Sequence, residues 1–232
     1  MGSLRLFSKI VSVAAMLVVC GGVAGAEVRQ CPGGLVEVAT ATDQDISLVC
    51  LAAGETMAQL AKCGIAPGRM LRVRLVRDLP DECPEHALAY FDARTQVVTI
   101  PTYVTCLRLS GAEGRLGVPM TLALYRSLIV HELTHAIISQ TCGRVALGRA
   151  AQEYLAYAIQ FAAMEPGVRH LILAQHSFDL PIQRSELSET YFDLSPAHFA
   201  VKAYLHFTAP ANGCTFAHQL IAGTRTLPAG IR

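Results

Sequence analysis

Charge is scarce in this chain. Asp, Glu, Lys and Arg make up only 16% of its residues and 52% are hydrophobic, a balance that excludes intrinsic disorder. An excess of either sign is also missing. With 19 basic and 18 acidic residues, nothing in the charge points to nucleic acid or to an anionic membrane surface. The sequence holds no internal repeat and no low-complexity tract. No two cysteines stand in C-x-x-C spacing, which argues against a cysteine zinc site or a thioredoxin-type motif. The N-terminal apolar run, 10–19, is too short to span a bilayer as a stable helix.

That run has a different reading. Arg5 and Lys9 precede it and Ala24-Gly25-Ala26 follows. A positive region, a short apolar core and a small-x-small site form a secretory signal peptide over 1–26. The mature chain, 27–232, is expected to be one domain, exported to the periplasm or the exterior and free of the membrane after cleavage. It keeps 17 basic and 18 acidic residues, a net charge of −1. It also keeps seven cysteines, at 31, 50, 63, 83, 106, 142 and 214, a number that suits a disulfide-bonded exported protein. An odd count leaves at least one thiol unpaired or bridging two chains. Linear order does not fix the pairing; the pairs expected are Cys83–Cys106, at the base of a hairpin, and Cys142–Cys214.

The pattern of elements is that of an α+β protein, a small antiparallel or mixed sheet followed by helices. An irregular start, 27–35, leads to a helix beginning near 47 or 54 and ending at Lys62, where Gly64 marks the stop. Residues 70–76 alternate apolar with basic, the period of a half-buried strand. Two short strands follow, 86–91 and 96–100, joined by a hairpin loop at 92–95. A glycine-marked loop comes next. From about Pro119 to Gln140 the chain reads as one long apolar helix, which closes an N-terminal subdomain, 27–140. The C-terminal subdomain, 141–232, is mainly helical. It has a second helix at 145–164, a helical piece near 168–175, a polar loop through 176–194, a helix at 196–207 and a short one at 215–222.

The long helix carries His131-Glu132-Leu133-Thr134-His135. Two histidines four apart lie one above the other on a helix, so their ring nitrogens can converge on one small ion. A Glu after the first His stands beside the pair, placed to act on a water at that ion. Residues 128–137 contain no Pro, no Gly and no charge besides Glu132, so these groups need an ion or partners if buried. Two histidines do not complete a catalytic zinc site, which usually has three protein ligands. A third His six residues on, with Gly between, is excluded because Ile138 and Thr141 stand at those positions. Glu153, 18 residues past His135 among small and apolar residues, is the best third ligand; His170 and His176 are substitutes.

This arrangement resembles the gluzincin metallopeptidases, in which H-E-x-x-H is completed by a Glu on the next helix. It is most similar to their compact, minigluzincin-like type, over about residues 70–164 in element order. The resemblance implies a zincin-like fold, one Zn2+ held by His131, His135 and Glu153, and Glu132 as base for a zinc-bound water that attacks a peptide bond. It implies a peptide or protein substrate, paired as an added strand along 96–100. It also implies an acidic residue four positions after the ligand Glu, where this chain has Tyr157. An oxyanion donor should come from the C-terminal half. Tyr191, His198, Tyr204 and His206 are the candidates, with Tyr191 and His198 preferred because the polar loop before the last long helix could overhang a cleft. Two other functions stay open: an exported zinc-binding protein without proteolytic activity, and a metal-free, disulfide-stabilised binding module.

Overall fold

The computed structural model describes residues 27–40, 42–78, 89–111, 116–142 and 147–230. The expected signal peptide, 1–26, lies outside them. The fold is α+β, with one five-stranded mixed sheet and, among the described residues, eight α-helices. None of these helices is long and apolar enough to cross a membrane.

The N-terminal stretch is more ordered than its glycines suggest. Strand β1 (Glu27–Gln30) pairs antiparallel with β2 (Val36–Thr40). The turn between them uses Gly33 and Gly34 at φ 91° and 69°, a left-handed region that glycine enters without strain. Val36 and Val38 of β2 are buried. Helix α1 (Asp43–Ala61) starts earlier than expected because Thr42 caps it, its hydroxyl oxygen accepting from Asp45 N–H at 3.2 Å. It crosses back to β3 (Leu71–Val76), which lies parallel to β2. Leu71, Val73 and Leu75 point inward and Arg72 and Arg74 outward, as the alternation predicts.

Strands β4 (Tyr90–Asp92) and β5 (Val97–Pro101) form the expected hairpin. Asp92 braces its loop, accepting from Arg94 N–H at 2.8 Å and from the Thr95 hydroxyl at 2.6 Å. The rest of the strand expected at 86–91 lies largely outside the described residues. The sheet order is β1-β2-β3-β5-β4. This corrects the expectation that 96–100 is a rim strand. Both sides of β5 are occupied, by β3 in parallel and β4 in antiparallel pairing, so among the described residues β4 is the outer strand at this end of the sheet. A further helix, α2 (Tyr103–Ser110), occupies a stretch that carried no predicted element.

Helix α3 (Leu122–Thr141) is the axis of the molecule. It packs on α1, on the sheet and on α4 (Arg149–Ala163), and is buried nearly all round. Side chains fix both of its ends. The Tyr125 hydroxyl donates to Pro101 O at 2.9 Å, and Gln140 Oε1 accepts from Arg69 N–H at 3.1 Å. Helix α5 (Pro166–Leu173) follows. The stretch read as a polar loop holds a 3-10 turn at Arg184–Glu186 and a short helix, α6 (Glu189–Leu194). Helices α7 (Pro196–Thr208) and α8 (Gly213–Ile221) complete the chain, with α7 packed along α4.

Among the described residues, two disulfides join these layers. Cys31–Cys50 ties the β1–β2 turn to α1, and Cys63–Cys214 ties the end of α1 to α8. The second corrects the expected Cys142–Cys214 pair. Helix α8 folds back onto the end of α1, where the His218 ring bonds Cys63 O at 2.7 Å and the two cysteine Cα atoms lie 5.0 Å apart. Cys142, at the end of α3, stays a half-buried thiol whose pKa burial pushes up. The expected Cys83–Cys106 pair depends on Cys83, which lies outside the described residues. Two disulfides suit an oxidising environment.

Candidate metal centre

The site is made by two helices. Helix α3 contributes His131 and His135, one turn apart, and α4 contributes Glu153. His131 Nε2 and His135 Nε2 are 3.1 Å apart. The carboxylate oxygens of Glu153 lie 3.5 Å from the first and 3.7 Å from the second. One donor atom from each residue falls within a 4.8 Å span. A tetrahedral ion with ligands at about 2.0–2.1 Å holds its donors about 3.3–3.4 Å apart, so these spacings fit a zinc-sized ion. Two imidazole nitrogens and a carboxylate are also the donor chemistry such an ion takes. The trio could hold a metal ion. Glu132, half-buried, follows His131 directly on α3.

Small residues let the helices come this close. Ala150 and Ala156, three positions either side of Glu153 on the same face of α4, are both buried. Glu153, Tyr157 and Gln160 stand at i, i+4 and i+7, one face of α4, and all three meet the His131 ring. Glu153 does so through the 3.5 Å contact above. The Tyr157 ring packs edge-on against the imidazole, centroids 4.5 Å apart. Gln160 Oε1 lies 3.0 Å from His131 Nδ1. The resemblance implied that a residue at 157 accepts from a ligand histidine. The structure puts Gln160 on that nitrogen, one turn further along. The sequence signal for Gln160 was faint: a lone polar residue in Ala158-Ile159-Gln160-Phe161, on the same face as Glu153.

The electrostatics match a cation site. Burial pulls the His131 ring down, but Glu153, with a smaller contribution from Glu132, more than offsets it and leaves the ring above its ordinary value. Burial brings His135 down to about 4, with His131 adding to the fall. Burial pushes Glu153 up, yet the two histidines hold it below the usual carboxylate range. Near neutral pH the trio is therefore an ionised carboxylate, a neutral His135 and a His131 with raised proton affinity. A metal ion would replace that proton.

The remaining sequence candidates lie in other surroundings. The Tyr191 ring faces the Lys202 ammonium at 4.5 Å, and Lys202 pairs with Glu186 at 2.5 Å. His198 bonds Ser195 Oγ through Nδ1 at 2.7 Å and meets the rings of His176 and Phe178. Tyr191 and His198 thus belong to a cluster around α6 and α7, and no described contact joins either to the trio. His176 belongs to that same cluster and His170 is exposed on α5, so the third ligand position falls to Glu153. Tyr204 stacks on Phe161 at 5.5 Å, and His206 is buried against Tyr154. A groove of about 530 Å³ opens elsewhere, where Arg77 and Thr102 leave the parallel strands; the trio does not line it.

No curated protein and no solved structure matches the chain. A family model does, over residues 36–229, which include the sheet from β2 onward, both site helices and α8. On that match the chain belongs to DUF6639, a family of unknown function.

Proposed function

We propose that this protein is an exported zinc-dependent peptidase with a zincin-like fold. The observation that carries the reading is the convergence of His131, His135 and Glu153 donor atoms within 4.8 Å, with Glu132 next in the helix. Element order supports the fold: a mixed sheet with an antiparallel outer strand, then the motif helix, then the helix bearing the third ligand.

His131, His135 and Glu153 would hold the ion. When bound, zinc polarises a carbonyl and makes water acidic near neutral pH. Glu132 takes the proton of the attacking water and returns it to the leaving amine. Glu153, shared between two imidazoles, keeps both rings facing one point. Strand β4 packs against α3 and, among the described residues, is paired on one side, so an extended peptide would add to the sheet there, next to the motif helix.

The test is metal content together with chelator-sensitive cleavage of a mixed peptide library by the oxidised mature protein. One zinc per chain with cleavage is expected. Glu132→Gln should keep the zinc and lower turnover by about 10²–10⁴-fold, the usual worth of a general base. Zinc at unit stoichiometry with no cleavage of any peptide sinks the peptidase reading. Absence of zinc sinks the metal site as well.

A further inference from the structure

The hydrogen bonds behind His131 form a chain with only one consistent direction. The Ser127 hydroxyl, on α3, donates its single proton to Leu124 O at 2.7 Å. Its oxygen can then only accept, and it does so from Gln160 Nε2 at 3.1 Å. The Gln160 amide is thereby oriented with its carbonyl toward His131, 3.0 Å from Nδ1. A carbonyl only accepts, so Nδ1 carries a proton and Nε2 is the nitrogen turned to His135 and Glu153, where a metal would replace its proton. Gln160 is 0% exposed and Ser127 2%, so water does not compete for these bonds.

We infer that Gln160, oriented by Ser127, is the positioning residue of the metal centre, fixing the tautomer and ring angle of His131 through a neutral amide on the ligand helix. The inference rests on the metal-site reading above and deepens it. Helix α4 then does two things to one imidazole. Glu153 meets it at the ion, and Gln160, two turns on, holds it from behind. Ser127 and His131 are four apart on α3, so the bond crosses between the helices and returns to the same face. An amide cannot draw the Nδ1 proton away, as a carboxylate at this place could. Its contribution is geometric, and it leaves the centre's charge to Glu153.

The experiment compares the wild-type protein with Gln160→Met and Gln160→Glu. Zinc affinity is measured by competition with a chelating dye, and the His131 tautomer by nitrogen NMR of the imidazoles. In the zinc-bound wild type the His131 proton should sit on Nδ1 and exchange slowly with solvent. Gln160→Met fills the space without an acceptor. It should weaken zinc by about 10–100-fold, the usual worth of such a partner, and lose the protected Nδ1 proton. Gln160→Glu restores an acceptor and should recover zinc affinity to within about tenfold, together with the Nδ1 signal. Wild-type zinc binding that Gln160→Met leaves unchanged overturns this inference alone, as does a His131 ring that carries no proton on Nδ1 in the zinc-bound protein. A wild-type protein that binds no zinc overturns the metal reading and this inference together. Circular dichroism of each variant separates loss of the partner from loss of the fold.

Discussion

Three side chains on one face of α4 give a single imidazole its environment, and their charges set how the centre should respond to acid. His131 has the raised proton affinity of the trio, whereas burial holds His135 neutral down to about pH 4. An entering metal ion must therefore displace a proton from His131 but not from His135. The sign follows. Below the raised His131 value, zinc affinity falls as pH falls, by about tenfold per pH unit while one proton is displaced. Above that value it levels off. Glu153 stays ionised throughout this range because its own value is depressed. Calorimetry in buffers of different ionisation enthalpy should count about one proton released per zinc near pH 6. A count near two would show that His135 is protonated as well, against the burial that keeps it neutral.

The helices carry a second polar contact that makes them sensitive to acid. Tyr154, next to Glu153, points the other way and meets His206 of α7, its hydroxyl 2.8 Å from Nδ1. Burial pushes the Tyr154 phenol far up, so the phenol keeps its proton and donates, and the imidazole accepts. His206 is buried and its pKa is lowered by burial. An unfolded His titrates near 6.5, so between that value and the lower folded one the unfolded chain binds more protons. The His206 contribution to stability is thus full above about pH 6.5 and is lost as pH falls through the folded value. Thermal unfolding of the metal-free protein should show a falling Tm in this window, and His206→Gln should flatten the fall. An unchanged slope in His206→Gln would place the acid sensitivity elsewhere. Legibility in the sequence divides at this scale. The α3 and α4 helices and the trio could be read because apolar period, helix spacing and donor type all agree. Strands β1 and β2 could not, because Pro32-Gly33-Gly34 reads as loop although it is only their turn. Helix α2 was hidden between Pro101 and a run of glycines. Gln160 was not legible, because its partner Ser127 lies 33 residues away and no local pattern links the two.

At the scale of the whole molecule the two disulfides of the described residues differ in reach. Cys31–Cys50 closes a segment of 19 residues and Cys63–Cys214 one of 151. Chain entropy lost from the unfolded state gives about 3 kcal/mol for the shorter and about 5 kcal/mol for the longer. Replacing Cys63 and Cys214 by Ser should therefore lower the stability measured in urea by more than replacing Cys31 and Cys50. The reverse order would mean that local packing of the β1–β2 turn outweighs the long closure. No linear rule could have found the longer bridge, because α8 reaches α1 only after the whole helical half has folded over the sheet. That bridge has a further consequence for any peptidase able to cut its own kind. Both site helices lie inside the covalent ring it closes. A single nick anywhere between residues 63 and 214 leaves two fragments still joined. The nicked protein would run as one band on a gel until a reductant was added, and only then would the damage show.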